Sequence, residues 1–209
     1  MRPKQIRQAR ALTLAAALVG WNALVVPRIP PRSHPLVHAA IGAGLVAITN
    51  APLGLRPPAV WSGLRLGLAA AASVAAGVAA TTAFPRVRAA MAERELPDPA
   101  GRWLAFRIPL GTVWSEEAAF RAALGILAAD AFGPTGGRLL QATAFGLSHI
   151  ADARSTGEPV TGTVLVTGAA GWLFGWLRQR SGSLAAPMLA HLAINEAGAV
   201  AALTVQRRI

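Results

Sequence analysis

Three clusters carrying polar residues interrupt the apolar second half of this chain: Glu116-Glu117-x-x-x-Arg121, Phe145-x-x-x-His149 and His191-x-x-x-Asn195. An ionisable group at a bilayer centre costs about 2.5–3.5 kcal/mol on insertion scales. A chain that carries two Glu, one Arg and two His in such surroundings is expected to gather them around one shared, wet site. Residues four apart share a helix face, so Glu117 and Arg121 can pair within their own helix. Glu116 is rotated by about 100° from Glu117 and is free to meet a different neighbour. Two adjacent carboxylates, only one of them paired with an arginine, suit general acid/base work. His149 can share a proton with a glutamate-activated water. His191 and Asn195 can donate to an oxyanion, and such donors are worth about 3–4 kcal/mol each. No Ser or Cys nucleophile stands in a matching position, which favours direct attack of water on an amide.

Taken singly, each pair has a plainer reading. Glu117–Arg121 is then an intrahelical salt bridge, His149 and His191 are packing residues, and Asn195 is interhelical glue. Phe145 is packing under either reading. The catalytic reading rests on all three motifs falling, in order, on separate helices of one small chain. His34 and His38 are also four apart, but no carboxylate lies nearby in sequence, which disfavours a metal pair there.

The elements that must hold these groups read as membrane helices. The chain has 209 residues, 54% hydrophobic and only 14% charged, against roughly 25% charged in a soluble domain. Its mean hydropathy is +0.46. The absence of Cys excludes disulfides and thiolate sites, and the absence of Tyr excludes tyrosyl chemistry. The net charge of +11 is almost wholly arginine, with Lys4 the one lysine. These arginines fall mainly between apolar segments, among them Arg28, Arg56, Arg86, Arg178, Arg207 and Arg208, as flanks at lipid headgroups do. No basic arm with interleaved aromatics is present, so nucleic acid is not an expected partner.

A spanning helix needs about 20 mostly apolar residues. Seven candidates emerge, at about Arg10–Val26, Leu36–Pro52, Ala59–Phe84, Trp103–Phe132, Thr135–Ala151, Thr161–Arg178 and Leu184–Val205. Arg86 to Gly101 and Asp152 to Pro159 read as loops, and Gly133-Pro134 as a break. Pro109 can split the fourth span in two, which gives seven or eight helices. The expectation is an all-α, polytopic transmembrane bundle. It forms a single membrane-embedded domain over residues 1–209, with the chemistry in about 103–205.

The three motifs, in this order and spacing, resemble the CPBP family of intramembrane proteases. That family includes CAAX prenyl endopeptidases of the Rce1 type and bacteriocin-immunity-like (Abi) relatives. Its pattern is EExxxR, FxxxH, then HxxxN or HxxxD. The stretch Gly171-Trp172-Leu173-Phe174-Gly175-Trp176-Leu177 is also similar. The resemblance covers about Pro109 to Ala197; Ala122 stands where many relatives have Gly. It implies a glutamate-dependent endopeptidase active within the membrane. Glu116 would activate water with help from His149, and His191 and Asn195 would form the oxyanion site. Glu117, Arg121 and Phe145 would support them. The resemblance leaves open a divalent metal such as zinc, with Glu116, His149 and His191 as candidate ligands and water as the nucleophile in either case. Expected partners are membrane lipids and a membrane-associated peptide or protein substrate, in the cell membrane of a prokaryote. The competing readings are a non-catalytic immunity or scaffold protein, and a proton-coupled transporter that uses the same groups as a relay. Transporters are usually longer and repeated.

Overall fold

The computed structural model describes residues 2–207, so Arg208 of the C-terminal basic pair lies outside the described residues. All regular structure among those residues is helical. Helix α1 (Pro3–Gly20) opens on a proline at its first position and continues through a π turn (Trp21–Val25) and a 3-10 turn (Val26–Arg28). It starts several residues before the expected Arg10. Helix α2 (His34–Thr49) ends at Asn50, which takes the left-handed conformation, and α3 spans Ala59–Thr82.

The expected loop from Arg86 to Gly101 is corrected at its start, where α4 (Pro85–Glu93) forms an exposed helix. The proline that ends α3 also starts α4, because proline is tolerated at a first helical position. After the single turn α5 (Ala100–Arg102), the chain enters two π-helical segments, Trp103–Trp114 and Glu117–Leu124, separated by one α-helical step at Ser115–Glu116. Pro109 therefore does not split the span. An α-helix interior has no room for its ring against the preceding turn, and the wider i→i+5 winding relieves that clash. Helix α6 (Gly125–Ser148) does break, at Gly133 (φ 76°, ψ 171°), as the Gly-Pro step predicts. Helix α7 (Ile150–Thr156) occupies much of the second expected loop, and α8 (Val160–Ser181) and α9 (Ala185–Gln206) complete the chain. Each of the seven expected spans is helical, with α4 and α7 as short additions.

Among the described residues, four stretches are long and apolar enough to cross a membrane: Pro3–Arg28, Ala59–Thr82, Val160–Ser181 and Ala185–Gln206. Only 11–28% of their apolar windows is buried inside the protein. Large side chains such as Ile48, Leu165 and Val166 point outward. So much exposed hydrocarbon is incompatible with a water-facing surface, and the chain is a multi-pass helical membrane bundle. The segment that begins at Glu117 is the opposite: every residue of Glu117–Leu124 is buried.

The packing explains that burial. Helix α2 lies on both long π segments, α1 and α8 on α6, and α3 along α9. Small residues permit close approach where no water drives association. A Cβ on Gly67 of α3 would stand 2.9 Å from the Ala186 backbone of α9. On α8, a Cβ on Gly171 would meet the Phe145 ring at 3.0 Å. The Gly171-x-x-x-Gly175 spacing is thus the face that receives α6. Gly182, at φ 69°, turns the chain from α8 into α9, and Leu184 N–H then donates to Leu53 O at 2.8 Å. That bond ties the last helix hairpin to the loop after α2.

Candidate active site

Glu116 and Glu117 sit where the two π segments meet, and His191 reaches them from the first half of α9. His191 Nδ1 lies 2.9 Å from Glu117 Oε1. A carboxylate only accepts, so Nδ1 carries the proton and donates. The other ring nitrogen, Nε2, stands 3.8 Å from Glu116 Oε2. One imidazole is thereby flanked by both carboxylates. On an ordinary α-helix adjacent side chains diverge by about 100°; the change of winding at this junction accompanies their approach to a common partner.

Arg121 Nε lies 3.3 Å from Glu117 Oε2, and both side chains are completely buried. The guanidinium carbon also lies 3.9 Å from the Phe145 ring centre and 5.0 Å from that of Phe174. A buried cation needs such partners, and an aromatic face supplies part of what water would. Phe145 does more than fill space. Its ring meets His149 edge-on at 4.7 Å, His191 at 6.2 Å and Phe120 at 5.2 Å. Phe174 stacks on His191 at 5.0 Å and 25°. Sequence reasoning had Phe174 only as part of a family-like stretch; its spacing from Gly171 and Gly175 is the signal that could have found it.

His149 occupies the step between α6 and α7. Its Nδ1 lies 2.8 Å from Phe145 O. A carbonyl cannot donate, so Nδ1 carries the proton and Nε2 is left to accept. Asn195 is partly buried and donates one amide hydrogen to His191 O at 3.1 Å, which leaves its second hydrogen free. The three motifs therefore differ in how closely they join. Glu116, Glu117, Arg121 and His191 meet directly, His149 joins through the Phe145 ring, and Asn195 holds to its own helix.

Glu116 is the exposed member, with 26% of its side chain accessible. It lines a cavity of about 30 Å³ together with Ser115, Trp21, Asn22 and His38, a volume that admits a water molecule. His38 stacks on His34 at 3.9 Å, and its Nε2 is buried with no hydrogen-bond partner. His38 and Glu116, distant in sequence, line the same cavity. No group of three or more His, Asp or Glu among the described residues stands close enough to hold a metal ion. The candidate zinc ligands Glu116, His149 and His191 do not form a cage.

The bundle and its buried acid–imidazole cluster define a membrane protein built for polar chemistry inside an apolar body. Residues 98–197 match the Rce1-like family model, described as type II CAAX prenyl endopeptidase Rce1-like. The matched region is similar to that family and spans all three motifs. No curated protein and no solved structure matches the chain.

Proposed function

We propose that this protein is an intramembrane, glutamate-dependent endopeptidase that hydrolyses a peptide bond of a membrane-associated protein or peptide, in the cell membrane of a prokaryote. The observation that carries the reading is the flanking of His191 by Glu116 and Glu117, with Glu116 also lining a water-sized cavity. Glu116 takes a proton from water as the water oxygen bonds to the scissile carbonyl carbon. His149 Nε2 accepts a hydrogen bond from the same water and orients it. The carbonyl oxygen becomes an oxyanion, which receives the free Asn195 amide hydrogen and, when His191 Nε2 carries a proton, that hydrogen as well. The C–N bond then breaks as Glu116 returns its proton to the leaving nitrogen, giving a carboxylic acid and an amine. Glu117 orients the His191 ring through Nδ1, and Arg121 balances the Glu117 charge.

The test is cleavage of a peptide library by the detergent-purified protein beside its Glu116→Gln and His149→Asn variants. Loss of cleavage in both, with unchanged melting behaviour, is expected. Cleavage that survives Glu116→Gln rejects the mechanism. A binding role without hydrolysis is the second reading, favoured by the attachment of Asn195 to its own backbone. It predicts peptide binding, no cleavage, and binding that persists in Glu116→Gln.

A further inference from the structure

A second, larger cavity of about 200 Å³ lies beside the acid–imidazole cluster, with Arg121 in its wall. Arg138 and Arg178 line it too, with Gln141, Gln179 and Pro52, and no Asp or Glu is among its lining residues. Three guanidiniums facing one space repel one another unless an anion joins them. Arg121 is 3% exposed. Its Nη1 and Nη2, like the Nε of Arg138 and of Arg178, are buried without a hydrogen-bond partner. Glu117 approaches Arg121 only at Nε, so the two terminal nitrogens remain as donors.

The two outer arginines are held in place by other contacts. Arg138 packs over the Trp172 ring at 4.0 Å and donates to Gln179 Oε1 at 3.2 Å. Arg178 donates to Pro52 O. The three arginines come from three elements: the second long π segment, the half of α6 after its break, and the last turns of α8. Their donors therefore approach from separate directions. A flat carboxylate is served by one guanidinium fork, whereas a tetrahedral phosphate presents oxygens to several. Gln141 Oε1, also buried and unpartnered, supplies an acceptor for a P–OH. The cavity touches the Gly182 turn and the loop after α2, at helix ends, where headgroups lie. Basic pockets between membrane helices at that level suit anionic headgroups.

We propose that this cavity binds a phosphate group, presented on an anionic lipid headgroup or as free phosphate. The site shares Arg121 with the proposed peptidase centre, but its occupancy does not depend on that reaction and its test does not use activity. Detergent-purified full-length protein is titrated with short-chain phosphatidic acid, inorganic phosphate and an uncharged diacylglycerol, and binding is read by thermal shift and native mass spectrometry. Phosphatidic acid or inorganic phosphate is expected to bind and raise the melting temperature, and diacylglycerol is not. Binding by the lipid alone identifies a headgroup site; equal affinity for inorganic phosphate identifies a free-anion site. Arg138→Gln and Arg178→Gln should each weaken binding by about tenfold or more, the loss of a charged hydrogen bond. Arg138→Gln breaks no backbone contact and so serves if Arg178→Gln unfolds. Arg180→Gln removes the same charge from an exposed neighbour and should leave affinity unchanged. Equal loss in Arg180→Gln, unchanged affinity in Arg138→Gln, equal binding of diacylglycerol, or no binding of either phosphate ligand overturns the proposal.

Discussion

His191 and Glu117 lie 74 positions apart in the chain and meet at 2.9 Å in a buried hydrogen bond. Glu117 in turn faces Arg121 at 3.3 Å, and neither of those side chains touches solvent. Removing one partner of a buried ion pair leaves a bare charge and costs about 3–5 kcal/mol. Glu117→Gln should therefore lower the melting temperature of the detergent-purified protein sharply. The double variant Glu117→Gln with Arg121→Met should recover much of that loss. An unchanged melting temperature in Glu117→Gln would show that Arg121 does not depend on this partner.

Glu116 behaves differently because it is partly accessible and lies 3.8 Å from His191, beyond a direct hydrogen bond. Glu116→Gln should leave the fold intact. Loss of a general base typically lowers the rate by about 10²- to 10⁴-fold. The comparison is kcat against melting temperature: a rate loss with unchanged stability supports the assignment, and a matched loss of both refutes it.

Gly171 is the residue that lets α8 approach the Phe145 ring, since a Cβ there would stand 3.0 Å from Phe145 Cδ1. Gly171→Val should displace the ring that carries contacts to Arg121, His149 and His191. Overpacking of this kind costs about 1–3 kcal/mol. Activity should fall along with stability, while Gly198→Ala, at a position with open space around it, should change neither. Equal effects of the two substitutions would remove Gly171 from the account.

His38 shares the Glu116 cavity although it comes from the half of the chain that carries none of the three motifs. If it helps hold the water, His38→Leu should lower kcat and shift the pH–rate profile, with KM little changed. A variant with the parent profile would assign His38 to packing alone.

The chelator experiment follows from the donor set. No group of three or more metal-ligating side chains is assembled among the described residues, so cleavage should persist in excess phenanthroline or EDTA. Loss of activity that zinc restores would require side chains to regroup around a metal.

The sequence pattern carried much of this arrangement and missed particular parts for identifiable reasons. Apolar run lengths located the seven helical stretches, and among the described residues four helices are long and apolar enough to cross a membrane, because hydrocarbon thickness sets a minimum length. Gly133-Pro134 marked the break in α6 because neither residue favours a continuous helix there. The pairing of Glu117 with Arg121 was legible because it is local. The approach of Glu116 to the same imidazole was not, since a helical wheel assumes α-helical winding and this segment changes to π winding on either side of Ser115–Glu116. Helix α4 was hidden by its prolines and charges, which read as loop, although Pro85 is placed where a helix can begin. Phe174 joins the cluster through contacts between distant segments, and His38 shares the Glu116 cavity from across the fold, which no local pattern encodes.

The pairing of α3 with α9 has a consequence for anyone who handles this chain in pieces. The helix that presents His191 rests along one from the half without the motifs, and Leu184 is tied to Leu53 across the same divide. A fragment cut to the hallmark residues would lose the scaffold behind its own imidazole. Grafting those residues onto another protein's opening helices would demand that the seam be rebuilt with them.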